Sequence, residues 1–147
     1  MARPSRTSEV DAVPRQGRTR PVSAAQARAY VSKAEEYLSA AAAELNAGRT
    51  IASTSLAIHA GINASDAVTG VRLGRRAAGQ DHDEVLVLLR TAGPDGQAVA
   101  KDLMRLLPMK TKAEYEPDDI PRSDAVKAVD RAHRIVEVAR RVATIRE

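Results

Sequence analysis

Cysteine is absent from the 147 residues. Neither a disulfide framework nor a thiolate metal site can form, and a cytoplasmic location is expected. Phenylalanine and tryptophan are also missing, leaving Tyr30, Tyr37 and Tyr115 as the only aromatics. That disfavours the base-stacking platforms of single-strand nucleic-acid binders. It also leaves a core of Ala, Val, Leu and Ile, over which helices can approach closely. There is no run of about 18 apolar residues to span a membrane, so no membrane partner is expected. The first residues hold no apolar stretch like that of a secretory leader. No strand-like alternation, Walker-type phosphate loop or nucleophile elbow is present.

The charge is unevenly spread. Residues 1–21 carry five arginines against Glu9 and Asp11, whereas the 18 basic and 17 acidic residues of the remainder almost cancel. The first 21 residues also contain Pro4, Pro14 and Pro21 and no apolar period. They read as a disordered basic tail, either a solubilising extension or an arm for nucleic acid or an acidic partner. Residues 22–147 read as one domain.

Helical signals fill that domain. Ser23 and Gln26 make a capping box, with Val22 stapled to Ala27. The first helix then presents Tyr30, Ala34, Leu38, Ala41 and Leu45, and Gly48 stops it. Residues 50–73 form the central helix, with Leu56, Ala60, Ala64, Ala67 and Val71 at helical spacing. His59, Asn63 and Asp66 recur on nearly the same side. Such a helix is buried all round or lines a cleft. After the basic loop GRRAAGQ, Asp81 and Glu84 cap a third helix through Val85, Leu86, Leu88 and Leu89. The segment AGPDG interrupts it, and Asp95 can cap its continuation through Val99, Leu103 and Leu106. Pro108 ends that continuation, and residues 109–119 show no period. The last helix starts near Pro121 or Ser123 and carries Val129, Ala132, Val136, Ala139 and Val142. The expected fold is all-α: an up-and-down four-helix bundle with an interrupted third helix and a short antiparallel turn between its first two helices. Leu38, Leu56, Leu103 and Val136 should meet in its centre.

Three groups are candidates for chemistry, and each also has a plainer reading. Arg75 and Arg76 precede His82, so Arg76-x5-His82 could bind phosphate and move a proton, as metal-independent RNA cleavage requires. Equally, His82 can be the first turn of a capped helix beside a solvated basic loop, and this is the preferred reading. His59, Asn63 and Asp66 could hold a ligand; a zinc site is not expected, because two histidines at helical spacing are missing. Alternatively, Asp66 is a buried carboxylate bonded to a neighbouring element. His133 reads as a packed histidine at the core edge. Arg131, Arg134, Arg140 and Arg141 read as solvated surface.

Taken in order, SDAVTG, GQDHDEVLVLL, LMRLLPMKTKAEY and DAVKAVDRAHRIVEVA resemble the HEPN superfamily, more narrowly its short actinobacterial members, over about residues 24–145. The resemblance implies a dimeric helical bundle, often a ribonuclease with an Arg-x4-6-His motif supported by a polar residue from an earlier helix. Asp66 falls where that support is expected. At the motif itself, this chain has Lys110 and Tyr115 in KTKAEY. Lysine lacks the bidentate fork, and tyrosine is a poor general base at neutral pH. Lys110, Lys112 or Tyr115 is then the expected partner of Asp66. The expectation is a nuclease-deficient HEPN-like module that binds nucleic acid, a nucleotide or a protein, without a cofactor or metal. Its alternatives are a metal-independent ribonuclease using a non-standard pair, or a structural dimeric module. The resemblance further implies a homodimer, a nucleotidyltransferase-type antitoxin as partner, a toxin–antitoxin or phage-defence setting, and RNA contacts through basic residues.

Overall fold

A computed structural model describes residues 18–79 and 81–145. In chain order it contains β1 (Thr19–Pro21), α1 (Ala24–Asn46), α2 (Thr50–Leu73), β2 (Arg75–Ala77), α3 (Asp83–Arg90), α4 (Gly93–Leu106), α5 (Met109–Glu114) and α6 (Arg122–Ile145). The molecule is mostly helical, with one small two-stranded ribbon. No helix among the described residues is long and apolar enough to cross a membrane.

The capping box at the start of α1 forms: Gln26 N–H donates to Ser23 Oγ at 3.1 Å, and Ser23 N–H donates to Gln26 Oε1 at 2.9 Å. Gly48 adopts φ 83° just past the end of α1, a conformation open to glycine without strain. Only three residues then separate α1 from α2, so the chain must double back. Accordingly, Ser53 near the start of α2 donates to Ala41 O near the end of α1 at 2.8 Å. At the other end of the pair, Val22 and Ala27 meet Gly70.

α2 is the centre of the molecule. From Ala64 through Gly70 every residue is buried, polar ones included. Glycine allows this crowding: a Cβ on Gly61 would lie 2.7 Å from Leu106 Cδ2, and one on Gly70 would lie 2.6 Å from Val22 Cγ1. Around this axis pack α1, α4 and α6, with Leu103, Leu106, Ile135 and Val136 fully buried. Contacts between helix ends set their directions. Arg122 at the start of α6 donates to Leu45 O at 3.0 Å, and Arg140 further along pairs with Glu35 at 2.6 Å. α6 therefore runs against α1.

Several expectations need correction. Arg75–Ala77 of the expected basic loop pairs antiparallel with Thr19–Pro21, so strand pairing does occur. The expected tail of residues 1–21 therefore contributes a strand to the domain; residues 1–17 lie outside the described residues. The pairing was illegible because three exposed residues with proline carry no alternation. Residues 109–119, read as aperiodic, include the short helix α5. Leu38 and Leu56 are partly buried, while Leu103 and Val136 are fully buried. On α1 the buried stripe is Ala27, Val31, Ala34 and Ala41, rotated from the expected one because small residues fit nearest to α2. Asp95 does not cap α4; it sits inside its first turn and joins Arg72 at 2.7 Å and Arg141 at 3.2 Å. His133 is exposed and lies 3.8 Å from Glu137, instead of packing at the core edge. Arg134 and Arg140 bond to Asp102 and Glu35 on other helices, so they are more than solvated surface.

Candidate functional site

The row His59, Asn63 and Asp66 begins partly exposed and ends buried. Two tyrosines of α1 lie alongside the groups around it. The Tyr37 ring stacks on His59 with centroids 5.3 Å apart, and the Arg76 guanidinium lies over the Tyr30 ring at 5.9 Å. Asn63 turns back on its own helix, donating to His59 O at 2.8 Å.

α5 covers the His59 end. Glu114 is the hub there: it receives Lys110 Nζ at 3.0 Å and Ser55 Oγ at 3.2 Å, and it lies 3.7 Å from His59 Nε2. The bond from Lys110 holds the Glu114 carboxyl below its usual range, and the same bond raises Lys110. His82 approaches from the start of α3. Burial pushes its pKa down and Lys110 and His59 add to this, against the fields of Asp81 and Glu114. His82 stands at the N-cap position of α3 without a side-chain bond there, and Asp81 Oδ1 instead accepts from Asp83 N–H at 2.9 Å.

At the other end lies Asp66. Burial raises its pKa from 3.8 to about 7, against the opposing field of Arg76. Its Oδ1 has no hydrogen-bond partner among the described residues. The expected bond to Lys110, Lys112 or Tyr115 does not form. Lys110 is engaged by Glu114 and sits 5.3 Å from the Tyr115 ring centroid. Tyr115 is 72% exposed, and Lys112 is partly buried and pairs with no described acid. The physical reason is helix register: α5 packs beside the His59 end of the row, about two turns from Asp66. Among the charges that act on His82, Arg76 does not figure. The Arg76-x5-His82 spacing thus serves two different neighbourhoods, Arg76 with Asp66 and Tyr30, His82 with Lys110 and Glu114.

The ribbon adds a further feature. Between it and α1 is a cavity of about 300 Å³ whose lining includes Arg20, Tyr30, Lys33 and Arg76. Sequence reading placed Arg20 in a free basic tail, since nothing local brings a residue before α1 beside β2, and it missed Lys33. It also missed Glu114, although the Lys110–Glu114 spacing of four was a legible signal for that pair. The described residues bring no three His, Asp or Glu side chains into a metal-holding group. The chain matches no family model and no curated protein.

Proposed function

We propose that this chain is a nuclease-deficient, HEPN-like up-and-down bundle that binds a phosphate-bearing partner, nucleic acid or nucleotide. One observation carries the reading. Where the resemblance expects an arginine and a histidine converging on a supporting acid, Lys110 is neutralised by Glu114 and Tyr115 is exposed, while Asp66 bonds to neither. The motif positions themselves thus supply neither an arginine fork for a phosphodiester nor an imidazole to move its proton. Binding remains open to it, because Arg76, Arg20 and Lys33 cluster at the ribbon. The full chain should therefore retain RNA in a filter-binding assay, with affinity falling as salt rises. It should cleave metal-free RNA no faster than the Lys110→Ala, Tyr115→Phe double variant.

A second reading, a metal-independent ribonuclease, draws support from His59 and His82 gathering around Lys110. Two imidazoles and an ammonium are a chemically sufficient set for phosphoryl transfer to a 2′-hydroxyl, one imidazole taking the hydroxyl proton, the other giving one to the departing 5′-oxygen, and the ammonium facing the phosphoryl charge. Cleavage abolished by His82→Ala would promote it over the first. The homodimer and the nucleotidyltransferase-type antitoxin are carried by the resemblance alone. Sedimentation of the full chain, and an adjacent nucleotidyltransferase gene, are their respective tests.

A further inference from the structure

The cavity between the ribbon and α1 gathers cations from three separate elements. Its charged lining is all cationic: Arg20 from β1, Lys33 from α1 and Arg76 from β2. No described carboxylate forms an ion pair with any of the three, whereas Arg72, Arg134, Arg140 and Arg141 are each matched by an acid. The neutral Gln26 side chain can add donors. Gln26 has its Oε1 committed to the Ser23 N–H of the capping box, which leaves its amide hydrogens. A three-cation cleft with no carboxylate in its lining concentrates negative charge.

Arg76 is already set in place. Its Nη1 donates to Ala77 O at 3.0 Å and its guanidinium lies over Tyr30, so little freedom is lost when an anion docks. The cations cannot be the whole story, because Val22, Ala29 and the Tyr30 ring supply an apolar wall. A bare phosphate would leave that wall uncovered. A volume of about 300 Å³ is at the small end for organic ligands and suits one nucleotide unit.

We propose that this cavity binds a terminal nucleoside phosphate, with Arg20, Lys33 and Arg76 on the phosphate and the base or sugar against Tyr30 and Val22. The phosphate can belong to a free mononucleotide or to the end of an RNA strand. The proposal rests on the phosphate-binding reading above and gives it a ligand class and a place.

Isothermal titration of the full chain with AMP, and with an oligoribonucleotide bearing either a 5′-phosphate or a 5′-hydroxyl, tests it. AMP or the 5′-phosphorylated strand should bind saturably, and Lys33→Gln or Arg76→Gln should weaken that binding about tenfold or more, the loss expected for one charge-assisted bond. Lys101→Gln, remote on α4, should leave it unchanged. AMP binding identifies the free nucleotide as source; preference for the phosphorylated strand without AMP binding identifies the strand end. Because Lys33 is exposed on α1, an unchanged melting temperature in Lys33→Gln excludes misfolding as the cause. RNA binding that ignores both the terminal phosphate and Lys33→Gln would overturn the cavity while leaving the binding module standing. Absence of binding by every strand and nucleotide would overturn both.

Discussion

At the scale of single residues, Asp66 is the most consequential side chain. Its carboxyl holds a proton up to about pH 7 in the folded chain, against 3.8 ordinarily, because burial removes it from water. Between those two values the folded state binds more protons than the unfolded one, so stability falls as pH rises from about 4 to about 7. His82 acts oppositely: its lowered pKa makes the folded chain release a proton more readily, so stability falls as pH drops through and below 6.5. Asp66→Asn separates the two. The rise in its pKa corresponds to at most about 4 kcal/mol. Thermal melts should therefore show the variant more stable than the parent at pH 8, by less at pH 5, and nearly equal to it below about pH 4. A variant less stable at both would mean that a water or side chain satisfies the carboxylate.

Gly61 is the second residue of this kind. Its missing side chain admits Leu106, Leu103 and Ile135 to the face of α2. Gly61→Ala improves helix propensity, but the added methyl meets a fully buried leucine. A net loss of about 1–3 kcal/mol is expected from denaturant titration, as for other overpacked cores. The expectation fails if the variant is stabilised, which would mean that Leu106 has room to turn away.

Among the elements, the ribbon changes most in meaning. A tail read from composition buries little, and on that reading its removal is silent. Instead Thr19–Pro21 pairs with Arg75–Ala77, and Val22 N–H donates to Gly74 O at 2.9 Å while its side chain is buried against Gly70. Deleting residues 1–22 should lower the melting temperature measurably. α5 is the other element with a specific role, since it brings its own Lys110–Glu114 pair to His59. Glu114→Gln should lower the pKa of His82 further, because it removes a negative field that raises it and leaves the Lys110 ammonium, which lowers it, without its counter-charge. Imidazole proton shifts followed by NMR would reveal it. An unchanged His82 titration would show that burial alone sets its value.

For the whole molecule, stability follows how tightly each face of α2 is enclosed. Leu103 is fully buried between α2 and α6, so Leu103→Ala should cost about 2–5 kcal/mol. Leu56, only partly buried near the start of α2, should cost less when truncated. Equal losses would show that the start of α2 is as enclosed as its middle. The ion pairs of Asp95 with Arg72 and Arg141 tie the ends of α2 and α6 to α4, but the arginines are 38% and 56% exposed. Each such pair contributes no more than about 1 kcal/mol.

The capping box at Ser23 and Gln26, the stop at Gly48, and the helical character of residues 24–46, 50–73 and 122–145 were determined by sequence alone. Each depends on residues three or four apart, and such spacing is local information. The polar row of His59, Asn63 and Asp66 was legible for the same reason. Which groups face that row was decided only by tertiary structure. Arg20 and Arg76 are 56 positions apart, and nothing short of strand pairing brings them to one cavity. Lys110 and Glu114 sit at the His59 end because α5 packs there, and no spacing rule reaches across a helix junction to say so. Asp66 was recognisable as a carboxylate in need of a partner. Only the packing of α2 on every side could decide that its answer is to keep a proton.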